Sequence, residues 1–177
     1  MCFNEDVKSP PINLIPNISE NEPNVIRMRT FSKAYGMAGL RVGYAIGEKN
    51  TILNFEKIRN HFGMSRISQV GALAALEDYD FISDVINKVK LSRNRIGEIA
   101  NNNNCKFIPS FTNFVAIDCL KDSKFAKKVL ENLINKGVFV RMPYSYPQNR
   151  CIRVTVGLDK DIDLFEKYFP IALKNAN

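Results

Sequence analysis

Hydrophobic and polar positions follow two different periods along this chain. Residues 25–30 alternate apolar and basic side chains, which predicts a β-strand, and residues 41–46 form a second strand-like stretch among closely spaced glycines. From residue 49 the apolar positions recur at helical spacing, over 49–60, from about 67 through the alanine-rich 71–76, and from 80 to about 100. The asparagine run at 101–104 has poor helix propensity and predicts the end of the last helix.

Beyond residue 104 the pattern predicts a mixture of short strands and helices. Strands are predicted at 105–108, 113–119, 138–141 and 151–156, and helices at 123–136 and 160–175. Gly137 suits a left-handed helix cap, and Asp159 or Asp161 suits the start of the last helix. The proline-bearing residues 1–24 predict loop with one short helix.

The composition is that of an ordinary soluble globular protein with one or two domains. The chain has 177 residues, of which 45% are hydrophobic and 24% charged. No apolar run reaches the length of a membrane helix, and the first twenty residues carry Glu5, Asp6, Pro10 and Pro11 instead of a signal-peptide core. We therefore expect a cytoplasmic protein without a membrane partner.

Neither the cysteines nor the histidine indicates a metal site. Four cysteines, at positions 2, 105, 119 and 151, lie too far apart in sequence for a zinc or redox motif. They are interpreted as reduced thiols that are buried or incidental. His61 is the single histidine, so a site built from imidazoles is not expected, and no metal is predicted.

A net charge of +7 and an isoelectric point near 9.3 raise the hypothesis of a nucleic-acid-binding domain. However, acidic residues are interleaved with the basic ones, and aromatic residues do not alternate with basic ones as they do in a base-stacking surface. Most of the charge is interpreted as solvated surface, and a minority is available for anionic small molecules. No nucleic-acid partner is predicted.

The residues with the clearest chemistry lie directly after the first predicted strand. Thr30 and Ser32 flank a phenylalanine, Lys33 follows, and Arg41 comes eight residues later. The two hydroxyls and the guanidinium suit a bound phosphate, and a lysine amine near cationic charge suits a Schiff base with an aldehyde. By spacing alone, a solvated surface lysine is the more common interpretation.

The surrounding sequence changes that balance. Residues 29–44, RTFSKAYGMAGLRVGY, closely resemble the lysine signature of the class I/II pyridoxal-phosphate (PLP) aminotransferases, in particular the histidinol-phosphate aminotransferases. Further similarity follows in family order at 69–78, 112–114, 137–141 and 152–157, and extends from about residue 25 to the C-terminus. A contiguous match of this length is specific.

The resemblance implies roles for individual residues. Lys33 would form the Schiff base with PLP and move a proton between the substrate Cα and the cofactor, while Thr30, Ser32 and Arg41 would bind the cofactor phosphate. Arg153 matches an arginine that receives the substrate α-carboxylate. Arg141 matches one that faces the other end of the substrate, which the resemblance implies to be the phosphate of histidinol phosphate.

One position departs from the family pattern. His61 stands before Phe62, where many relatives have proline before phenylalanine. This difference is compatible with an altered substrate pocket or with a structural role at a helix end.

The resemblance also implies an α/β fold, the C-terminal part of fold type I of the PLP-dependent aminotransferases. Residues 1–66 would be a remnant of the PLP-binding large domain, residues 67–100 linking helices, and residues 101–177 a small C-terminal α+β domain. Family members are about twice as long, and the aspartate that pairs with the pyridine nitrogen precedes the lysine in them. We therefore expect an N-terminal half to be missing and the chain alone to be inactive or weakly active.

The sequence thus predicts part of an enzyme that transfers an amino group between glutamate or 2-oxoglutarate and histidinol phosphate, a step of histidine biosynthesis. By family analogy it would work as a homodimer. Two alternatives stay open. One is another fold-type-I PLP enzyme, an aromatic aminotransferase or a phosphate-ester decarboxylase. The other is a non-catalytic fragment that acts only with a partner chain.

Overall fold

The computed structural model describes residues 25–177. Residues 1–24, for which loop and one short helix are predicted, lie outside the described part of the chain. The described residues divide into two compact units, residues 25–86 and Asn87–Asn177. The three-part domain assignment made from the sequence, with its boundaries after residues 66 and 100, stays a prediction.

The first unit contains a two-stranded antiparallel sheet followed by helices. Strand β1 (Ile26–Thr30) pairs with β2 (Gly43–Gly47) so that Ile26 lies opposite Gly47 and Thr30 opposite Gly43. Helices α1 (Lys49–Glu56) and α2 (Arg66–Glu77) come next, and α3 (Tyr79–Asn102) begins in this unit. The strand and helix types predicted from the sequence are confirmed here.

Two boundaries in this unit differ from the prediction by more than one residue, each for an identifiable reason. The second strand begins at Gly43 instead of residue 41, because Arg41 has a left-handed backbone with φ of 51° and cannot belong to a strand. Helix α1 ends at Glu56 instead of residue 60, because the next residues form tight turns in which Lys57 and Ile58 donate to carbonyls three residues back.

At Gly43, the first residue of β2, the backbone of β1 leaves no room for a side chain. A Cβ atom at this position would lie 2.6 Å from the backbone oxygen of Arg29, a distance that real Cβ atoms do not reach. The absence of a side chain therefore permits the pairing that closes the loop between the strands.

The second unit is a three-stranded antiparallel sheet with helices on one face. Its strands are β3 (Lys106–Ile108), β4 (Phe114–Asp118) and β5 (Cys151–Thr155), in the spatial order β3-β4-β5. Helices α4 (Ser123–Ile134) and α5 (Asp159–Ala176) complete the unit with the C-terminal part of α3. These elements confirm the predicted types, with bounds that differ by one or two residues.

The core of this unit follows directly from the two periodicities. Alternate residues of β4 and β5 point inwards, and each of the two helices buries one stripe at helical spacing. The inward strand residues are Val115, Ile117, Ile152 and Val154, and the helical stripes are Phe125, Ala126, Val129 and Leu133 in α4 and Ile162, Phe165, Phe169, Ala172 and Ala176 in α5.

The predicted strand at 138–141 is wrong as a regular strand. Val138 and Val140 are buried as a strand pattern requires, but only Arg141 bridges the sheet, opposite Arg153. After Arg141, Pro143 would lie opposite Cys151, and proline has no N–H to donate, which ends the pairing on that side. Before Arg141, the N–H of Val138 donates to the carbonyl of Leu133 at 3.0 Å, so the chain there is still bonded to the end of helix α4. The alternation of buried and exposed residues thus suggested a strand, but the segment forms only one bridge to the sheet.

The helix ends agree well with the predicted capping residues. Helix α3 ends at Asn102, within the predicted stop. Gly137 has a φ of +79°, the left-handed conformation expected of it. Asp161 accepts a hydrogen bond from the backbone N–H of Leu158 at 2.9 Å and so caps α5, of which Asp159 is the first residue. Within residues 25–177, no helix combines the length and the hydrophobicity that a membrane-spanning segment requires.

The close approach at Gly43 gives a stability prediction. The change Gly43→Ala should destabilise the first unit by about 1–3 kcal/mol, because the added methyl forces β1 and β2 apart. Gly39→Ala is the matched control, since no heavy atom lies within 4 Å of a Cβ there and the φ angle is not left-handed. Amide hydrogen exchange of β1 and β2 measures the effect, and unchanged protection in Gly43→Ala would contradict it.

Candidate functional site

The predicted lysine lies in the loop that connects β1 to β2. Thr30 is the last residue of β1, and its Oγ1 accepts a hydrogen bond from the backbone N–H of Ser32 at 3.1 Å. The same hydroxyl donates to Ser32 Oγ at 2.9 Å. This local turn places the two hydroxyls side by side, directly before Lys33, whose side chain is exposed.

Phe31 anchors the loop beneath these polar residues. Its side chain is 1% exposed and contacts the rings of Tyr35 and Tyr44, with centroids 4.9 Å and 5.7 Å away. Its backbone N–H donates to Val42 at 3.3 Å and its carbonyl accepts from Met37 at 3.0 Å. With Phe31 held in this way, Ser32 and Lys33 lie on the outer side of the loop.

Tyr35 belongs to this packing. Burial raises the pKa of the Tyr35 phenol, and the neighbouring Tyr44 and Tyr79 raise it further. The phenol therefore stays protonated at neutral pH, and the ring takes part in the packing around Phe31.

Arg41 ends the same loop in an unusual backbone conformation. Its φ of 51° and ψ of 49° are left-handed, which is uncommon for a residue other than glycine. Its guanidinium donates one hydrogen bond to the carbonyl of Ala38 at 2.6 Å, while the side chain stays exposed. Because a guanidinium has five N–H donors, donors remain available for an anion.

Helix α2 contacts the loop between β1 and β2 through two residues, Ser68 and Gly71, that were not predicted from the sequence as site residues. Ser65 caps the helix by accepting from the N–H of Ser68 at 3.1 Å, and Ser68 is buried. The hydroxyl of Ser68 donates to the carbonyl of Leu40 at 2.7 Å, next to Arg41. Gly71 lies so close to Met37 and Leu40 that a Cβ would be 3.2 Å and 3.3 Å from their side chains. The Ser-x-x-Ser spacing before an apolar run was the available sequence signal.

Arg153, in the second unit, lies on the face of the sheet opposite the core. Its side chain is half-buried, and its Cζ lies 4.8 Å from the ring centroid of Phe114 on the neighbouring strand. Its Nε is buried and has no hydrogen-bond partner. A buried donor without a partner is costly, and an anion bound to this guanidinium would satisfy it.

Arg141 is the direct neighbour of Arg153. The two backbones exchange both hydrogen bonds, from Arg141 N to Arg153 O at 3.0 Å and from Arg153 N to Arg141 O at 2.6 Å. Residues paired in this way project their side chains on the same side of the sheet. The Cζ of the exposed Arg141 lies 5.9 Å from the ring centroid of Phe139. The two guanidiniums therefore share one surface, an arrangement of like charges that an anion would stabilise.

A cavity of about 800 Å³ opens beside the two arginines. It combines cationic and apolar side chains, and none of its lining residues is acidic. The lining consists of Lys127, Leu130, Phe139, Val140, Arg141, Met142, Pro143, Tyr144 and Arg153. Such a lining suits an anionic molecule with an apolar or aromatic part.

Arg93 is a buried cation that the sequence analysis also missed. It donates to the carbonyl of Thr112 at 3.2 Å and so holds the segment leading to Phe114, on which Arg153 packs. The signal for it was weak, since a lone arginine on a helix is normally solvated.

The other candidates remain without a chemical role. Within residues 25–177, no group of three potential metal ligands occurs, and His61 is exposed. Cys105, Cys119 and Cys151 are buried free thiols. A hydrogen bond with Cys105, together with burial, raises the pKa of Cys119, so that this thiol stays protonated.

The structure thus gathers the predicted residues into two clusters. Thr30, Ser32, Lys33 and Arg41 lie in one loop of the first unit, and the paired Arg141 and Arg153 lie on one face of the second unit's sheet. Their roles toward a cofactor and a substrate stay predictions.

Comparisons with known proteins establish the family of this chain. The sequence profile of the family described as "Aminotransferase class I and II" matches residues 2–164. Histidinol-phosphate aminotransferase of Aliarcobacter butzleri is 40% identical over 135 residues, which is 76% of this chain and 36% of that protein. The enzyme of the same name from Bacillus velezensis is 41% identical over 76% of this chain and 37% of its own length.

A solved structure extends the agreement to the fold. The crystal structure of histidinol-phosphate aminotransferase from Sinorhizobium meliloti in complex with pyridoxal-5'-phosphate is 46% identical, with a TM-score of 0.85 over 95% of this chain and 45% of that one. The predicted fold class is thereby confirmed. The chain spans less than half of the length of these relatives. The chain belongs to the class I and II aminotransferase family.

Proposed function

We propose that this chain is part of a PLP-dependent aminotransferase that transfers an amino group between glutamate or 2-oxoglutarate and histidinol phosphate or its keto counterpart. The observation that carries the proposal is the single loop in which two adjacent hydroxyls, an exposed lysine and a left-handed arginine follow one another. The names of the relatives support the choice of substrate.

The chemistry of this loop suits the phosphate of PLP. The hydroxyl of Ser32 would donate to a phosphate oxygen, and that of Thr30, which donates to Ser32 Oγ in this structure, would do so after rotating its proton toward the phosphate. The spare N–H groups of Arg41 would add charge-assisted hydrogen bonds. The strained backbone of Arg41 supports a functional role, since such conformations persist where the surrounding structure enforces them. The hydrogen bond from Ser68 to Leu40 helps to enforce it.

Lys33 is the proposed catalytic residue. Its amine would hold the cofactor covalently and, once released by the substrate amine, would carry a proton to and from the substrate Cα. PLP, when bound, supplies the electron sink for this proton transfer. The exposure of Lys33 beside a buried Phe31 leaves its amine free to move while its backbone stays fixed.

The two arginines of the second unit are the proposed substrate-binding residues. Arg153 would bind the α-carboxylate of glutamate through its planar fork, and Arg141 would bind the phosphate of histidinol phosphate. Their backbone pairing places both guanidiniums on one surface. This suits a substrate pair in which carboxylate and phosphate occupy neighbouring positions, since the phosphate of histidinol phosphate sits one CH₂–O link beyond the carbon that bears the carboxylate in glutamate.

Assembly and location are proposals as well. We propose a cytoplasmic enzyme, because its relatives are named as enzymes of amino-acid metabolism. We also propose that it functions as a homodimer, by analogy with its family. Because the chain spans less than half of the relatives' length, full activity is expected to require the remainder of the fold.

The first test concerns Lys33. When the full chain is incubated with PLP and reduced with borohydride, we expect the adduct to concentrate on Lys33, as located by peptide mass spectrometry. Lys33→Ala should abolish this adduct, whereas the control Lys49→Ala, at an exposed lysine of the same unit, should leave it intact. Labelling spread evenly over surface lysines would count against the proposed site.

The second test concerns Arg41. Arg41→Asn, which tolerates the left-handed backbone, should weaken PLP binding by roughly tenfold to a hundredfold because a charge-assisted contact is lost. Pyridoxal, which has no phosphate, should label Lys33 equally in both proteins. The control Arg59→Asn removes an exposed arginine paired with Glu56 and should have no effect. Equal losses with PLP and pyridoxal would mean that Arg41 does not act on the phosphate.

The third test concerns the reaction itself. The chain alone should transaminate histidinol phosphate poorly, and co-expression with the remaining part of the Aliarcobacter butzleri relative should raise turnover by at least roughly a hundredfold through groups that this chain does not supply. The complemented Lys33→Ala chain is the control and should stay inactive. Full activity of the isolated chain would refute the expectation, and complemented turnover of aromatic amino acids in place of histidinol phosphate would favour the alternative aminotransferase.

A further inference from the structure

We propose that Lys127 is a specificity-determining residue that favours a phosphate group over a carboxylate in the cavity formed by Arg141 and Arg153. The inference rests on the proposed function of that cavity and adds to it a third cationic residue from a different element. Lys127 belongs to helix α4, and it lies outside the individual motifs at 29–44, 69–78, 112–114, 137–141 and 152–157 that match the family.

Lys127 lies on the side of helix α4 that borders the cavity. Phe125, Ala126, Val129 and Leu133 form the buried stripe of α4. Lys127 and Leu130, one helical turn apart at the flank of that stripe, both line the cavity of about 800 Å³ that holds the two arginines. A lysine at the rim of an open cavity packs its stem favourably beside apolar residues while its amine stays in contact with water.

The Lys127 amine has only a weak partner within the described structure. Its Nζ lies 3.8 Å from Glu131 Oε1, beyond hydrogen-bond distance, and both side chains are more than half exposed. Such a pair contributes little and is readily exchanged for a better anion. Other lysines near this helix are occupied: Lys128 donates to the carbonyl of Ala176 at 3.3 Å, and Lys121 contacts Asn177.

The charge of the cavity exceeds what a carboxylate requires. Lys127, Arg141 and Arg153 contribute three positive charges, and the lining includes no acidic residue. A carboxylate has one negative charge and two oxygens, which the fork of a single arginine can satisfy. A phosphate monoester has a charge of about −1.5 to −2 at neutral pH and three strong acceptor oxygens. The two arginines together match the charge of a phosphate, and the Lys127 amine adds a donor for its third oxygen, which a carboxylate lacks.

The apolar part of the lining agrees with an aromatic phosphate ester. Leu130, Phe139, Met142, Pro143 and Tyr144 surround the cations and would contact a flat ring, such as an imidazole, that inorganic phosphate lacks. The preferred ligand class is thus a phosphate monoester with a small ring, and glutamate is the weaker-charged alternative for the same surface.

The experiment compares two ligands on the full chain at low ionic strength, where exposed charges are least screened. Titrations with histidinol phosphate and with glutamate are followed by NMR at the backbone amides of Arg141 and Arg153. Lys127→Gln should weaken histidinol phosphate binding by about threefold to tenfold and glutamate binding by less than about twofold. Lys127→Arg should restore the affinity for the phosphate ester, and Lys124→Gln, at an exposed lysine of α4 that does not line the cavity, should change neither.

Three outcomes would overturn the inference. These are unchanged phosphate-ester binding in Lys127→Gln, equal weakening of both ligands, and an absence of shifts at Arg141 and Arg153 in the unmodified chain. The titration is independent of the cofactor. Failure to label Lys33 with PLP would therefore disprove the proposed reaction without affecting this result, and a failed titration would leave the Lys33 result intact.

Discussion

The alternation of side chains along β5 controls the position of the cationic residues in the second unit. Ile152 and Val154 fill the core beneath the helices, so Arg153 between them must face the other side of the sheet. Arg141 exchanges both backbone hydrogen bonds with Arg153, so the side chain of Arg141 lies on the same face of the sheet. A shift of register by one residue would bury the Arg153 guanidinium in the core and expose Ile152 and Val154. Both changes are unfavourable, so burial of the two aliphatic side chains fixes the register.

In the first unit, burial of an apolar residue likewise determines which way the polar side chains of a loop face. Burial of Phe31 and the backbone bonds that it makes fix the path of the chain, so that Ser32 and Lys33 are presented outwards. Gly43 permits the strands to close beneath them, and Ser68 holds the carbonyl next to Arg41. Apolar burial thus supplies the rigidity, and the polar groups are free to bind, a division suited to a site that must hold an anion while a lysine moves.

Both clusters are rich in cations with few acidic partners. In the loop the cations stand beside hydroxyls, and in the cavity they stand beside apolar and aromatic residues. The chemistry expected of the two therefore differs, since the first suits a phosphate held by hydroxyls and the second an anionic substrate with a ring. The two clusters contribute part of the net charge of +7, in keeping with the proposal that they bind anionic small molecules.

The sequence by itself determined the family, the types of nearly all elements, and the lysine loop, because contiguous motifs and short-range periodicity depend on neighbouring residues alone. It could not separate the buried segment at 138–140 from a strand, since burial produces the same alternation with or without a hydrogen-bonded ladder. Only the tertiary structure decided that Arg141 lies beside Arg153, that Ser68 supports the loop, and that Lys127 lines the cavity. These contacts join residues up to tens of positions apart, and their geometry depends on register and helix packing, which no local pattern specifies.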